Sequence, residues 1–354
     1  MRVQFFGRLF AVALLVLTIA PGPPKPGSYG IPAFTDGTGW VGRPVRPLDL
    51  SGKVVLVDFW EYTCINCLRT LPYLKAWYQR YRDDGLEIIG VHTPEFGFSG
   101  NLANVREATQ RLGITWPVVV DGDSTIWDRY GTTGWPEEFL FDRDGRLVHT
   151  VVGEGPYQET ETMIQTLLKA GNPRLTLPPV MALLPQDDYT KPGALCYPRT
   201  PEVLIEHTKI ADQVAGSDPR RNTVYPDPGA PYTDGAVYLT GTWRIDGEAA
   251  VTGAVPAALV LRYHATQVVS VLAPPRGGSV RVAVTEDGVP VPKADAGSDV
   301  HYDDGGASYV TVDAPRAYEL IMNAKMGSHD LRLTPAAAGA SVYSFAFESC
   351  TVPS

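Results

Sequence analysis

The sequence predicts an α/β layered domain followed by an all-β sandwich, and three observations carry that expectation. Between Val54 and Leu168, apolar runs of buried-strand type alternate with segments of helical periodicity. A proline-rich stretch over residues 173–201 interrupts the pattern. Beyond about residue 235 the apolar residues recur at every second position, in short runs separated by Gly and Asp turns. At 354 residues the chain can bury two cores, each in a domain of roughly 150 residues.

Residues 1–20 read as an export signal or membrane anchor. Arg2 and Arg8 supply positive charge, and Leu9 to Ala20 are apolar apart from Thr18. That run is short for the roughly 20 residues of a full span, so residues 5–20 would serve as an anchor only if they are retained. Pro21, Pro23, Pro24 and Pro26 detach the segment from the folded part of the chain. Residues 21–36 are read as a linker and 37–172 as the first domain. Within it, Val54 to Trp60 is apolar except for Asp58, as in a strand covered on both faces. Leu71, Leu74, Tyr78 and Tyr81 then recur at helical spacing. Leu86 to Val91 is a second buried strand, Leu102 to Leu112 a second helix, and Pro117 to Val120 a short strand. Glu138 to Phe141 and Leu147 to Val152 flank the turn Asp142-Arg143-Asp144-Gly145 as a hairpin. Met163, Ile164, Leu167 and Leu168 mark a last helix. Residues 173–201 are read as an interdomain linker and 202–354 as the sandwich, whose strands show in Leu259, Leu261 and Tyr263, in Val280, Val282 and Val284, and in Tyr343, Phe345 and Phe347.

With 30 basic against 39 acidic residues the net charge is -9, which argues against nucleic acid as a partner. Four cysteines in an exported chain lie where disulfides persist. Cys196 and Cys350, far apart in sequence, are expected to form a structural disulfide that ties the two ends of the second domain. Cys64 and Cys67 are different, because Cys64-Ile65-Asn66-Cys67 sits between a buried strand and a helix. A tetrahedral zinc site would need a second ligand pair at compatible spacing, and the sequence has none, so no metal is assigned. The helix N-terminus would stabilise a thiolate on Cys64, the attacking sulfur, while Cys67 one turn further in would resolve the mixed disulfide. The redox-active disulfide is then the only cofactor expected. Asp58, a carboxyl within an apolar strand, would exchange protons with Cys67.

These residues resemble the thioredoxin family. Val57-Asp58-Phe59-Trp60 followed by the cysteine pair looks like its strand-to-helix signature, with Pro72 at the helix-kinking position. Gly134-Trp135-Pro136 is similar to the loop whose cis-proline faces the cysteines, and Gly153 to the glycine ending the hairpin. Gly90-Val91-His92-Thr93-Pro94-Glu95-Phe96 narrows the resemblance to TlpA-like thioredoxins, and to the extracytoplasmic C-terminal part of DipZ-type proteins. The resemblance implies a thioredoxin-like α/β fold followed by a jelly-roll, galactose-binding-like sandwich. It implies a catalytic set of Cys64, Cys67, Asp58, Pro136 and Trp60, with Trp135, Glu61 and His92 as substrate contacts. For Glu61, His92 and Glu95 the plainer reading is solvated loop residues. The implied partners are cysteine-containing exported proteins and a separate membrane or soluble electron donor or acceptor. A glycan is a further expected partner, stacking on Tyr232, Tyr238, Trp243 or Tyr302. A pure binding module is the competing function. A thiol peroxidase is disfavoured, because Glu61 stands where that pattern has Thr. Whether the pair reduces or oxidises is left open by the sequence.

Overall fold

The computed structural model describes residues 30–207 and 220–352. The expected export segment lies outside the described residues. The first domain is built on a six-stranded mixed sheet, in the order β1 (Gly39–Val41), β4 (Val118–Val120), β3 (Leu86–His92), β2 (Val54–Trp60), β5 (Glu137–Phe141), β6 (Leu147–Val152). Strands β2, β3 and β4 run parallel, and β5 returns antiparallel beside β2. Every residue of β2 and β3 is buried, as their apolar composition requires.

Alternation along β2 divides the core in two. Val54, Leu56 and Trp60 face helices α1 (Ile65–Tyr81), α2 (Leu102–Arg111) and α4 (Tyr157–Gly171). Val55, Val57 and Phe59 face α3 (Thr125–Tyr130) and the segment from Phe34 to Leu50. Helix α1 therefore lies over the even-numbered side of β2, the side that also carries Asp58.

Two expected linkers are parts of the packed structure. Phe34 is 2% exposed in the core and the Tyr130 hydroxyl donates to the Pro32 carbonyl at 3.0 Å. Residues from 31 onward thus belong to the first domain and not to a 21–36 linker. The stretch 173–201 is laid over α1 and α4 as a strap. Arg80 donates to the Pro179 carbonyl at 2.7 Å, Gln165 to the Pro178 carbonyl at 2.8 Å, and the Met181 N–H to Glu161 at 2.8 Å. The physical reason is that Leu175, Leu177, Met181, Leu183 and Leu184, set among the prolines, pack on the α1 side of the core.

The second region begins with β7 (Leu195–Cys196), β8 (Val203–Leu204), β9 (Thr223–Tyr225), β10 (Val237–Asp246) and β11 (Ala249–Ala273). It continues with β12 (Val280–Glu286), β13 (Val289–Pro290), β14 (His301–Tyr302), β15 (Ser308–Val312), β16 (Arg316–Pro335), β17 (Ser341–Glu348) and β18 (Cys350–Thr351). Ten of these form one hydrogen-bonded sheet. The 25-residue β11 pairs with β10, β16 and β17 along different parts of its length. The sheet encloses a single core that includes Leu259, Leu261, Tyr263, Val282, Val284, Leu333 and Phe345. Two of the aromatics considered for sugar stacking are used structurally. Trp243 is wholly buried with its indole N–H on the Thr240 carbonyl, and the Tyr302 hydroxyl donates to the Val291 carbonyl.

Cys196 and Cys350 are directly opposite each other on β7 and β18 and are joined as a disulfide. The bridge spans 154 residues. Replacing both cysteines by serine is expected to cost at most about 5 kcal/mol of stability by the loop-entropy relation, read from urea denaturation with and without reductant.

Candidate active site

The loop after β2 ends at Cys64, the N-cap residue of α1, where extended backbone gives way to helix. The Cys67 N–H donates to the Cys64 sulfur at 3.3 Å, so an otherwise unpaired helix-terminal N–H is aimed at that sulfur. The two sulfurs are 2.7 Å apart. Cys64 is partly exposed, whereas Cys67 is 2% exposed and sits in the core beneath α1. Burial pushes the Cys67 thiol well above its ordinary value, and the nearby Cys64 and the charge of Asp58 add to the effect.

Asp58 is 1% exposed, and neither of its carboxylate oxygens has a hydrogen-bond partner. Burial pushes its carboxyl up to about 7. Directly opposite on β5 stands Glu138, also buried, its carboxyl raised by burial first and by Asp58 second. Glu138 alternates with Phe139 and Phe141, which face the other core, so its side chain is on the α1 face with Asp58 and Leu140. Sequence reasoning placed Glu138 at the start of a strand without giving it a role. The available signal was an acid in register with Asp58 on an adjacent buried strand.

Glu61 and His92 are neither solvated loop residues nor surface contacts for substrate; both are wholly buried. One Glu61 oxygen accepts the Thr63 N–H at 2.5 Å, the Thr63 hydroxyl, and the Cys64 N–H at 3.0 Å. Its other oxygen is 3.6 Å from His92 Nε2. The His92 ring stacks on Tyr62 at 5.2 Å and meets Trp60 edge-on at 5.2 Å. The Thr63 hydroxyl and the Thr63 and Cys64 N–H groups in the tight loop are three donors facing inward, and Glu61 gathers them. Trp60, at 1% exposure, packs under this loop and does not reach substrate. Trp135 lines the same cleft as Cys64: it is half-buried, tilted against Trp127 at 4.5 Å, and joined to Pro136 by a cis peptide bond. The Pro136 carbonyl accepts the Gly153 N–H at 2.8 Å, which fixes the loop to the end of β6.

The second domain closes one side of the site. Arg69 on α1 pairs with Glu348 at 2.9 Å and donates to Gln267 at 2.9 Å, both on the second domain. Phe96 and Phe98 meet the Tyr343 ring edge-on at 5.3 and 4.8 Å. The Gly97 N–H donates to Glu248 at 2.9 Å. These contacts leave a cleft of about 130 Å³ beside Cys64, walled by Glu95 and Trp135 on one side and by Arg199, Glu202 and Phe347 on the other. Among the described residues, no group of three His, Cys, Asp or Glu side chains could hold a metal ion.

Residues 25–168 match the Redoxin family, and residues 200–347 match the family described as a thioredoxin like C-terminal domain. The chain belongs to the thioredoxin-like proteins. This thioredoxin-like chain is 33% identical over 315 residues to Protein DipZ of Mycobacterium bovis, a match that covers 88% of the chain and 41% of that protein. The chain thus spans about two-fifths of the length of that relative. It is 29% identical over 126 residues to the thiol-disulfide oxidoreductase ResA of Bacillus thuringiensis, covering 36% of the chain and 70% of that protein. NHL repeat-containing protein 2 of Bos taurus is 40% identical over 129 residues, 35% of the chain and 18% of that protein.

Two outcomes are expected at this site. Asp58 is near 7 when folded against 3.8 ordinarily, so between those values the folded chain keeps a proton that the unfolded chain releases. Stability should therefore fall as pH rises from about 4 to about 7, by at most roughly 4 kcal/mol at about 1.36 kcal/mol per pH unit. Urea titrations of Asp58→Asn should lack that slope. Glu61→Ala would strand the Thr63 and Cys64 donors and should lower stability by about 3 kcal/mol, measured by chemical denaturation.

Proposed function

We propose that the chain is an extracytoplasmic thiol-disulfide oxidoreductase acting on cysteine-containing exported proteins. The observation that carries this reading is the asymmetry of the pair, with Cys64 at a helix N-terminus facing the cleft and Cys67 buried behind it. In the reducing direction the Cys64 thiolate attacks one sulfur of a substrate disulfide. A Cys64–substrate bond forms, the substrate disulfide breaks, and the departing sulfur takes a proton from solvent. Cys67 then gives up its proton, attacks Cys64 and releases the second substrate thiol. Two electrons have passed to the substrate, and the protein holds a Cys64–Cys67 disulfide. Close spacing makes the second step intramolecular.

Cys67 is a poor acid where it sits, so its proton needs a nearby acceptor. Asp58 lies on the sheet face under α1 with a carboxyl near 7, close to the value that suits exchange at neutral pH. Glu138, directly opposite on β5, adds a second buried acid to the same face. Run backwards, the same steps oxidise a dithiol, and a separate electron donor or acceptor resets the couple in either direction. The Cys196–Cys350 disulfide supports an oxidising compartment.

Insulin reduction should be abolished in Cys64→Ser, and full activity in that variant would refute the proposal. Cys67→Ser should accumulate mixed disulfides with substrate that dithiothreitol releases, detected by non-reducing electrophoresis.

A further inference from the structure

The cleft beside Cys64 is made by both domains. Its first-domain wall is Trp135 and Glu95; its other wall is Arg199, Glu202 and Phe347. At about 130 Å³ it holds the volume of about four water molecules at about 30 Å³ each, the scale of one side chain and not of a folded domain. Glu95 makes no hydrogen bond or ion pair among the described residues, and its carboxyl is pushed up to about 8 by burial first and then by neighbouring carboxylates, Glu202 foremost. Arg199 faces Glu202 and offsets part of that charge. Two acids against one guanidinium leave the cleft short of positive charge: the Glu95 carboxyl holds its proton near neutral pH for want of a cation, and an ammonium or guanidinium placed beside it would ionise it. Trp135 and Phe347 supply apolar surface along which an aliphatic stem can lie while its charged head reaches the acids.

We propose that the second domain is the selecting wall of this cleft, and that the cleft takes an extended peptide in which the reacting cysteine is flanked by a lysine or arginine. The proposal rests on the disulfide-exchange reading above. Glu95 and Glu202 receive the basic side chain, which brings the neighbouring substrate sulfur onto Cys64. The Arg69 clamp to Glu348 and Gln267 keeps the two walls at a fixed separation. Substrates carrying an acidic residue in the same place meet like charges and react slowly.

The test uses the reduced full-length protein and three short peptides with Lys, Ala or Glu before a single cysteine, each held as a mixed disulfide with thionitrobenzoate. One turnover converts Cys64 and Cys67 to their disulfide and yields the peptide thiol and the coloured thionitrobenzoate thiol, whose release gives the rate. The Lys peptide should react about tenfold faster than the Glu peptide at low salt, with the ratio shrinking in high salt. The ratio should fall to about one in the Glu95→Gln/Glu202→Gln double variant and rise in Arg199→Ala. Equal rates for the Lys and Glu peptides with the unmodified protein would overturn the proposal, as would a ratio that neither set of substitutions moves. If the neutral Ala peptide itself fails to react, the disulfide-exchange reading falls and this proposal with it.

Discussion

The single turn of helix between Cys64 and Cys67 sets the terms for the rest of the first domain. It delivers one sulfur to a solvent cleft and the next to a dry core, and each placement must be maintained against the ordinary preferences of its surroundings. The outer position is held by Glu61, a buried acid one of whose oxygens collects the loop's inward N–H and hydroxyl groups. The inner position is held by the apolar faces of α1 and β2. Without the Glu61 hydrogen bonds the loop would have to find partners for three donors in a space that excludes water.

Asp58 and Glu138 show what this arrangement costs. Two carboxyls face each other across adjacent strands, and the Asp58 oxygens lack any hydrogen bond. A core chosen for stability alone would carry apolar residues there, as it does at Leu56 and Leu140 on the same face. Sites where local preference is overridden in this way are where chemistry is expected. Here the desolvated acids lie beside a thiol that burial makes reluctant to release its proton, and the difficulty of one group is matched by the readiness of the other.

Much of the first domain was legible because its signals are local. The run Val54 to Trp60, the periodicity of Leu71 and Leu74, and the Asp-Gly turn at 144–145 each report on neighbours within a few residues. The cysteine pair and Asp58 stood out because a polar group interrupts an apolar run. What escaped was non-local. His92 is covered by Trp60 and Tyr62, about thirty residues earlier in the chain, and the polar sequence around Glu61 does not mark its carboxylate as turned inward. The proline-rich segment gave the composition of a connector, yet its leucines and methionine pack over α1 and α4. The cleft wall of Arg199, Glu202 and Phe347 could not be read at all, because it exists only once the two domains are apposed.

The disulfide between Cys196 and Cys350 lies very near that wall. Arg199 comes shortly after one cysteine and Phe347 shortly before the other, so the bond pins both rims of the second-domain face to a single point. The strap that leads to Cys196 is itself bound to the helix that carries the reactive pair. Oxidation of the distant pair therefore completes the pocket in which the nearer pair works. A molecule folded before that bond closes would carry its reactive sulfurs on an unfinished surface, which makes the redox history of the chain a condition of its own maturation.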